Sequence, residues 1–455
     1  VPNREPNEGL ARLLDEANWT YRQLASAVNR VGTERGLLLN YGEPSVSNWL
    51  NGHMPRKQVC PVIVEAFARR IGRPVTHEEA GLGASAVVSG SDVVPEAALN
   101  TIEGLVDTGR ADMDPSRRAV LSTALYSAAL VVPRFGEADE TLDRLEHQAA
   151  GRTVRIGPGD VAVVRSMTEK VADILDELGG AHARPMAAAF IVNSVASYLR
   201  ADGSEAVKND MRAAASDLVY LTGWMAMYEK AHGLGQRYYR QALGLAKAGS
   251  DEVTYCRTLR GMALQAANLK HANKALQLAD SAAEAAPKAG PRLRAFLRGQ
   301  QAHGAALVGD RRLAFERLRE TEAALSKADN RRDAIGGYDR AAFEFHRSSV
   351  LYALGDVTGS IEAMRASNRA RPAVEKQGNA HANGLLAQRQ LEAGHLEAAC
   401  GTWHNFLDDY ATLSSARADE HFGIMRRRIR RHLSNPKARE LDERARELAR
   451  QKAAA

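Results

Sequence analysis

The segment Leu221-Thr222-Gly223-Trp224-Met225-Ala226-Met227-Tyr228-Glu229-Lys230-Ala231-His232-Gly233-Leu234-Gly235-Gln236-Arg237-Tyr238-Tyr239 is the clearest copy of a pattern that returns along the second half of the chain. Gly223 precedes Gly233 by ten residues, and Gly261 with His271, Gly299 with Gly309, Phe345 with Gly355, and Gly384 with Gly394 repeat that separation. The first members step by 38, 38, 46 and 39 residues, the long step carrying an insertion around Ser326 to Arg332. Each unit reads as helix, tight turn, helix. Gly309-Asp310, Gly355-Asp356 and Gly394-His395 supply turns, and a small residue in mid-helix lets a neighbouring helix approach. A hairpin of this length cannot bury its apolar face alone, so stacked neighbours must do it, which predicts an α-solenoid.

The pattern resembles tetratricopeptide repeats. Its period exceeds the usual one of about 34 residues, so the region 204–433 is read as tetratricopeptide-like, with 434–455 as a charged C-terminal capping helix. The arginines just before that helix, Arg426 to Arg428, Arg430 and Arg431, are a candidate second nucleic-acid contact. Stacked hairpins present one concave face built mainly from the first helix of each unit. Candidate ligand-binding residues there are Arg257, Arg298, His303, Arg340, Arg347, Asn379 and Asn383. Gln265, Arg294, Gln301, Glu344, His346 and Gln388 fall at similar positions. Polar side chains so arranged suit a peptide backbone or its terminal carboxylate.

Upstream, 114–203 reads as a helical connecting region, with helices over 116–132, 138–149, 160–178 capped by Asp160, 185–200 after Pro185, and then 204–232. Gly179 to Arg184 reads as a polar turn, with part of a ligand pocket as the alternative. Ser116-Arg117-Arg118 followed by an apolar run mimics a twin-arginine export signal, but its place inside the chain favours an ordinary helix. Residues 84–113, opening on Ala84-Ser85-Ala86-Val87-Val88-Ser89-Gly90-Ser91, read as a linker in which Pro95 starts a short helix.

Residues 1–83 form a separate domain. In Glu43-Pro44-Ser45-Val46-Ser47-Asn48-Trp49-Leu50-Asn51-Gly52, Pro44 suits a first helical turn and Gly52 a left-handed C-terminal position. Val46, Trp49 and Leu50 make one apolar stripe, leaving Ser45, Ser47, Asn48 and Asn51 on the other side, where such groups can read base edges. Ahead of it Thr20 and Gln23 spell a capping box, flanked by Trp19 and Leu24 as a hydrophobic staple. That helix carries Leu24, Ala25 and Val28 and is expected to end at Asn29 or Gly32. Leu10, Leu13, Leu14 and Ala17 mark a preceding helix. A following one opens at Pro61, buries Val62, Ile63, Ala66 and Phe67, and stops at Gly72.

These residues resemble the lambda-repressor-type helix-turn-helix domain of bacterial regulators in the xenobiotic-response-element family, over roughly residues 7–83. The resemblance implies base contacts from Pro44, Ser45 and Asn48, and phosphate contacts from Thr20, Tyr21, Gln23, Asn51, Arg56 and Lys57; Ser47, on the same exposed side, is a further DNA-binding candidate. One departure stands out. Val31 to Gly42 replace the usual short turn and leave open a small wing or a packed loop.

The composition bounds the rest. With 455 residues, 45% hydrophobic and 25% charged, the chain suits two or three globular domains, and 5% aromatics with almost no alternating runs predict an all-α class. The net charge of +6 permits an acidic partner, yet residues 1–83 hold ten Lys/Arg against nine Asp/Glu, so charge adds little to a DNA argument. Cys60, Cys256 and Cys400 are far apart, which supports neither disulfides nor a zinc finger and suits a cytoplasmic protein. Cys400 and His404 with His395 are at most a partial metal site, and no metal or cofactor is expected. No catalytic motif is present and no apolar run approaches a membrane span, so neither an enzyme nor a membrane partner is expected.

The whole-chain arrangement is similar to actinobacterial regulators of development and antibiotic production, and more loosely to Gram-positive peptide-pheromone receptors. It implies a homodimeric, sequence-specific transcriptional regulator that binds double-stranded DNA and whose repeats sense a peptide, a small molecule or a partner protein. The alternative is a helical protein-interaction scaffold without sequence-specific DNA binding.

Overall fold

Helices account for every regular element in the computed structural model, which describes residues 6–34, 39–56, 58–71, 75, 77, 79–82, 101–114, 155–285, 290–328 and 338–454. The helices expected over 116–132 and 138–149, the export-like run, Lys57, and residues 84–100 of the expected linker lie outside them. The all-α class is as the sequence predicts. The chain divides into two compact units, residues 1–95 with 123–133, and residues 96–122 with 134–455.

The first unit contains α1 (Glu8–Glu16), α2 (Tyr21–Glu34), α3 (Glu43–Leu50) and α4 (Cys60–Ile71). The capping box forms as spelled: Thr20 N–H donates to Gln23 Oε1 at 2.8 Å, and Gln23 N–H to Thr20 Oγ1 at 3.3 Å. Leu10, Leu24, Val46, Ile63 and Phe67 are fully buried in one core, each contributing about 1.5–3 kcal/mol on burial. Asn29 and Gly32 do not end α2, which runs on to Glu34. Instead Asn29 holds the insertion: its Nδ2 donates to Tyr41 O and its Oδ1 accepts from Tyr41 N–H, both at 2.8 Å. A Cβ on Gly32 would strike Leu39, whose side chain packs on the core with Tyr41. The described part of the insertion, residues 39–42, is thus a packed loop.

The second unit begins, among described residues, with α5 (Ile102–Met113), inside the segment expected as linker. It is tied to the body by Asp112, which is fully buried, pairs with Arg184 and accepts from Tyr238 Oη at 3.2 Å. Next come α6 (Pro158–Leu178) and α7 (Gly180–Phe190), which continues through a π-helical turn (Ile191–Val195) into α8 (Ala196–Leu199). Two local expectations change here. Asp160 is not the cap of α6 but its third residue, reaching back to accept from Gly157 N–H at 2.9 Å. The turn expected over residues 179–184 shrinks to Gly179, at φ +94°, because Gly180 already begins α7.

Five hairpins follow: α9 (Glu205–Tyr228) with α10 (His232–Ala248), α11 (Glu252–Asn268) with α12 (Ala272–Glu284), α13 (Pro291–Leu307) with α14 (Arg311–Leu325), α15 (Arg340–Ala353) with α16 (Val357–Ala370), and α17 (Lys376–Glu392) with α18 (Leu396–Tyr410). All five turn in the same way. A residue at positive φ donates its N–H to the carbonyl three back, and the next residue donates to the carbonyl five back, as in Gly309 to Ala306 at 3.1 Å and Asp310 to Ala305 at 2.9 Å. This double bond satisfies carbonyls that the helix end leaves open. The left-handed residue is Gly309, Gly355 and Gly394 in the last three hairpins, but Lys230 and Lys270 in the first two, not Gly233 or His271. Gly233 lies inside α10, and His271 is the N-cap of α12. Finally α19 (Ala416–Ile429) and α20 (Pro436–Ala454) close the apolar end of the stack around Trp403, Phe406, Met425 and Leu441.

The stack turns back on its own beginning. Ser414 N–H donates to Leu178 O at 2.9 Å, Ala181 N–H donates to Ser414 O at 3.2 Å, and Ala416 N–H donates to Glu229 Oε2 at 3.1 Å. Lys230 pairs with Glu420 at 2.9 Å, and Tyr228 meets His381 with ring centres 6.2 Å apart. The inner faces of the first helices therefore meet one another instead of bordering an open groove, and their shared lining is called the chamber below.

Candidate functional site

In the first unit, α3 is fixed by burial of Val46 and Trp49 and by the Tyr41 ring edge-on to Trp49 at 5.1 Å. Gly42 precedes it in an extended conformation, Pro44 stands in its first turn, and Gly52 at φ +82° ends it. Pro44, Asn48 and Asn51 are exposed, with Ser45 and Ser47 half-buried beside them. None carries a charge, and none of their side chains has a hydrogen-bond partner among the described residues. Arg56 and Tyr21 are also exposed, the latter unusually so for an aromatic. Thr20 and Gln23 are exposed too, but their side chains are occupied by the capping box.

The second candidate site is the chamber. Tyr220, Trp224 and Tyr228 recur every four residues on α9 and form a ladder of rings, with centres 6.4 and 5.2 Å apart. From Tyr228 the wall passes to His381 on α17, which touches Phe345 at 5.7 Å and His421 at 5.1 Å. From Trp224 it passes to Arg260 on α11, whose guanidinium carbon lies 5.3 Å from the Trp224 ring centre and 4.2 Å from that of Phe296 on α13. Phe296 leads to Tyr338, and Tyr338 Oη bonds His346 Nδ1 at 2.9 Å. Arg417 covers Tyr228 at 4.5 Å and Arg389 covers Tyr352 at 4.5 Å, so cations and π faces alternate along the wall.

The electrostatics follow from enclosure. His303 keeps part of its surface open, yet removal from bulk water, helped by the charges of Arg389 and Arg260, pushes its pKa down to about 4. His421 is pushed to about 4 by burial and then by Arg417. His346 and His381 fall well below the ordinary value by burial first, then by neighbouring arginines. Four neutral imidazoles thus stand among permanent cations.

The candidate ligand residues separate accordingly. His303 lies in the chamber wall. Arg257 pairs with Asp217 at 2.8 Å while stacking on Tyr220. Arg298 pairs with Glu320 at 3.1 Å on the outer helix α14, and Arg340 and Arg347 both hold Glu344, at 2.5 and 3.4 Å. Asn379 donates to Pro372 O, and Asn383 accepts from Asn368, so both are engaged within the fold. Arg260, Arg389, Arg417, Trp224 and Tyr228 were missed by the sequence reading. The four-residue spacing of Tyr220, Trp224 and Tyr228 was the one available signal. Cys400 is buried in the core and the His404 ring nitrogen Nδ1 lies 3.2 Å from Arg444, and among the described residues no group of three metal-ligating side chains gathers there.

The family model described as the SP15 N-terminal domain matches residues 10–83, coinciding with the four-helix region of the first unit. No curated protein matches the chain. Among the described residues, no helix is long and apolar enough to cross a membrane.

Proposed function

We propose that the protein is a sequence-specific DNA-binding regulator whose first unit reads a duplex through α3 and whose second unit receives a ligand. The observation that carries the first half is the exposed, uncharged face of α3. Its hydrogen-bonding groups have no partners within the described fold, while the opposite face is locked into the core by Val46 and Trp49. A helix so mounted can enter a major groove, with Asn48 and Ser45 toward base edges, and Tyr21, Asn51 and Arg56 toward phosphates. One eight-residue helix contacts few bases. Useful affinity therefore calls for two copies on a two-fold site, and the protein would act as a homodimer. The second half is supported by the clustering of aromatic rings and cations on the inner lining of the stack, a surface chemistry that suits a ligand.

The test is selection of genomic fragments by the purified full-length chain at two salt concentrations, with Asn48→Ala in parallel. A two-fold-symmetric sequence enriched by the native chain and lost in the variant supports the reading. Weak, sequence-blind binding that disappears with salt would defeat it and favour the scaffold alternative.

A further inference from the structure

Between Glu420 and Glu440 the chain carries seven Lys/Arg and no acidic residue. Everywhere else it holds 54 Lys/Arg against 55 Asp/Glu, so the net charge of +6 is gathered into the end of α19 and the start of α20. Two of the seven cations are engaged. Lys437 pairs with Glu397 at 2.7 Å, and Arg439 donates to Leu433 O at 3.1 Å and Ser434 O at 3.2 Å. The other five, Arg426, Arg427, Arg428, Arg430 and Arg431, fill all but one of six consecutive positions. Ile429 is that one, and its complete burial together with Met425 turns the arginines outward. Arg427, Arg428, Arg430 and Arg431 are exposed, and Arg426 is half-buried with its guanidinium carbon 5.7 Å from the Phe422 ring centre. Arg428 reaches Gln388 O at 3.5 Å, whereas Arg427, Arg430 and Arg431 have no hydrogen bond or ion pair among the described residues.

Single exposed arginines without a carboxylate, such as Arg312 and Arg319 on α14, are ordinary solvated charges. The ridge on α19 differs in density. Arg427 and Arg430 are three apart and Arg427 and Arg431 four apart, a spacing that makes helical residues neighbours, about 5–6 Å between Cβ atoms, at which like charges repel. The C-terminal end of α19 favours cations, but that attraction fades within the last turn and does not call for five of them. A polyanion relieves the repulsion, and it sheds condensed counterions as the arginines take their place. What accompanies the charge selects the polyanion. Phe422, Met425 and Ile429 are buried, and no large apolar side chain between residues 421 and 439 is exposed. A protein interface would want an apolar centre and a membrane surface an apolar face. A phosphodiester backbone wants neither, and the planar guanidinium fork matches its oxygens.

We propose that the arginine ridge at the end of α19 binds the phosphate backbone of duplex DNA without regard to sequence, giving the second unit a nucleic-acid contact of its own. Residues 1–83 are nearly balanced, with ten Lys/Arg against nine Asp/Glu, so a base-reading α3 brings little general attraction for phosphate. The ridge supplies it. The inference rests on the reading of the chain as a DNA-binding regulator. It assigns the sequence-independent, salt-sensitive share of the affinity to Arg427, Arg428, Arg430 and Arg431, and leaves the sequence-dependent share to α3.

The experiment is fluorescence anisotropy of the full-length chain on a duplex carrying the selected site and on a scrambled duplex of equal length, over a series of salt concentrations. The ridge variant combines Arg427→Gln, Arg430→Gln and Arg431→Gln. A control with the same loss of charge combines Arg312→Gln, Arg319→Gln and Lys327→Gln, all at exposed positions. Each arginine on a phosphate steepens the fall of log affinity with log salt by about 0.9. The ridge variant should therefore flatten that slope by about two to three on both duplexes, lose about tenfold or more in affinity, and keep the native preference for the selected site. Lysine at the same three positions should restore the slope, and the control should bind as the native chain does. An unchanged slope in the ridge variant overturns the proposal. So does an equal loss in the control, which would make net charge the cause, or competition by polyglutamate as effective as the scrambled duplex at equal charge, which would point to an acidic protein. The two readings fail separately. A native chain that prefers no sequence, with a slope that the ridge variant flattens, discards the reading of α3 and keeps the ridge. A selected site bound with an unchanged slope by the ridge variant does the reverse, and no binding to either duplex defeats both.

Discussion

Gly384→Ala should destabilise the second unit, even though it replaces a mid-helix glycine in α17 with the best helix former. An added Cβ would lie 2.6 Å from His421 Cγ and 2.8 Å from its Nδ1, about 1 Å inside ordinary carbon contact. The imidazole cannot easily retreat. His381 Nδ1 holds its Nε2 at 2.9 Å, Gln388 Nε2 holds its Nδ1 at 2.8 Å, and Phe406 stands edge-on at 6.3 Å. Overpacking of this kind costs about 1–3 kcal/mol, and a restrained ring places the clash in the upper half of that range. Helix propensity returns about 1 kcal/mol. The net expectation is a loss of about 1–2 kcal/mol, or roughly 1–3 °C in the unfolding temperature of a unit of this size. The decisive assay is a double-mutant cycle by urea and thermal unfolding. In a His421→Ala background the obstacle is gone, so Gly384→Ala should reverse sign and stabilise by up to about 1 kcal/mol. If Gly384→Ala is neutral or stabilising in the native background, the close approach of α17 and α19 is misjudged.

Two further expectations concern titration and turn geometry. His421 and His346, both buried, have folded pKa values below the ordinary 6.5, the former at about 4. The unfolded chain therefore binds protons that the folded chain does not as pH falls below about 6.5, and stability, complete above that pH, should decline toward pH 4 by up to about 1.4 kcal/mol per unit for each histidine. Urea midpoints measured across that range check it, and a flat profile would contradict it. Lys270 carries a side chain at φ +63° where the later hairpins use glycine. Lys270→Gly should thus stabilise by about 0.5–1 kcal/mol, whereas Gly355→Ala, whose Cβ would meet only open space, should lose about 1–2 kcal/mol from backbone strain alone. Thermal unfolding of the two variants would show opposite shifts.

What the sequence determined by itself is what acts over a few residues. Thr20 and Gln23 satisfy each other within one turn, Gly52 ends α3, and Gly309, Gly355 and Gly394 mark hairpin turns because left-handed backbone is strained for other residues. Apolar periodicity likewise identified the stripe of Val46 and Trp49 and the all-α class. Where tertiary packing outweighed such preferences, local reasoning missed. Lys230 and Lys270 take the left-handed position because hairpin register demands it, and Asn29 and Gly32 serve the docked loop instead of ending α2. The chamber belongs to tertiary structure entirely. Arg257 and Arg260 are three residues apart on one helix, yet the first meets Asp217 and the second meets two aromatic rings and no acid among the described residues. Which face turns inward depends on how successive hairpins rotate, and whether that face is enclosed depends on Ser414 pairing with Leu178 and Ala181 from the far end of the stack. Such long-range contacts carry no short-range pattern, because nothing near them in sequence needs to change for them to form.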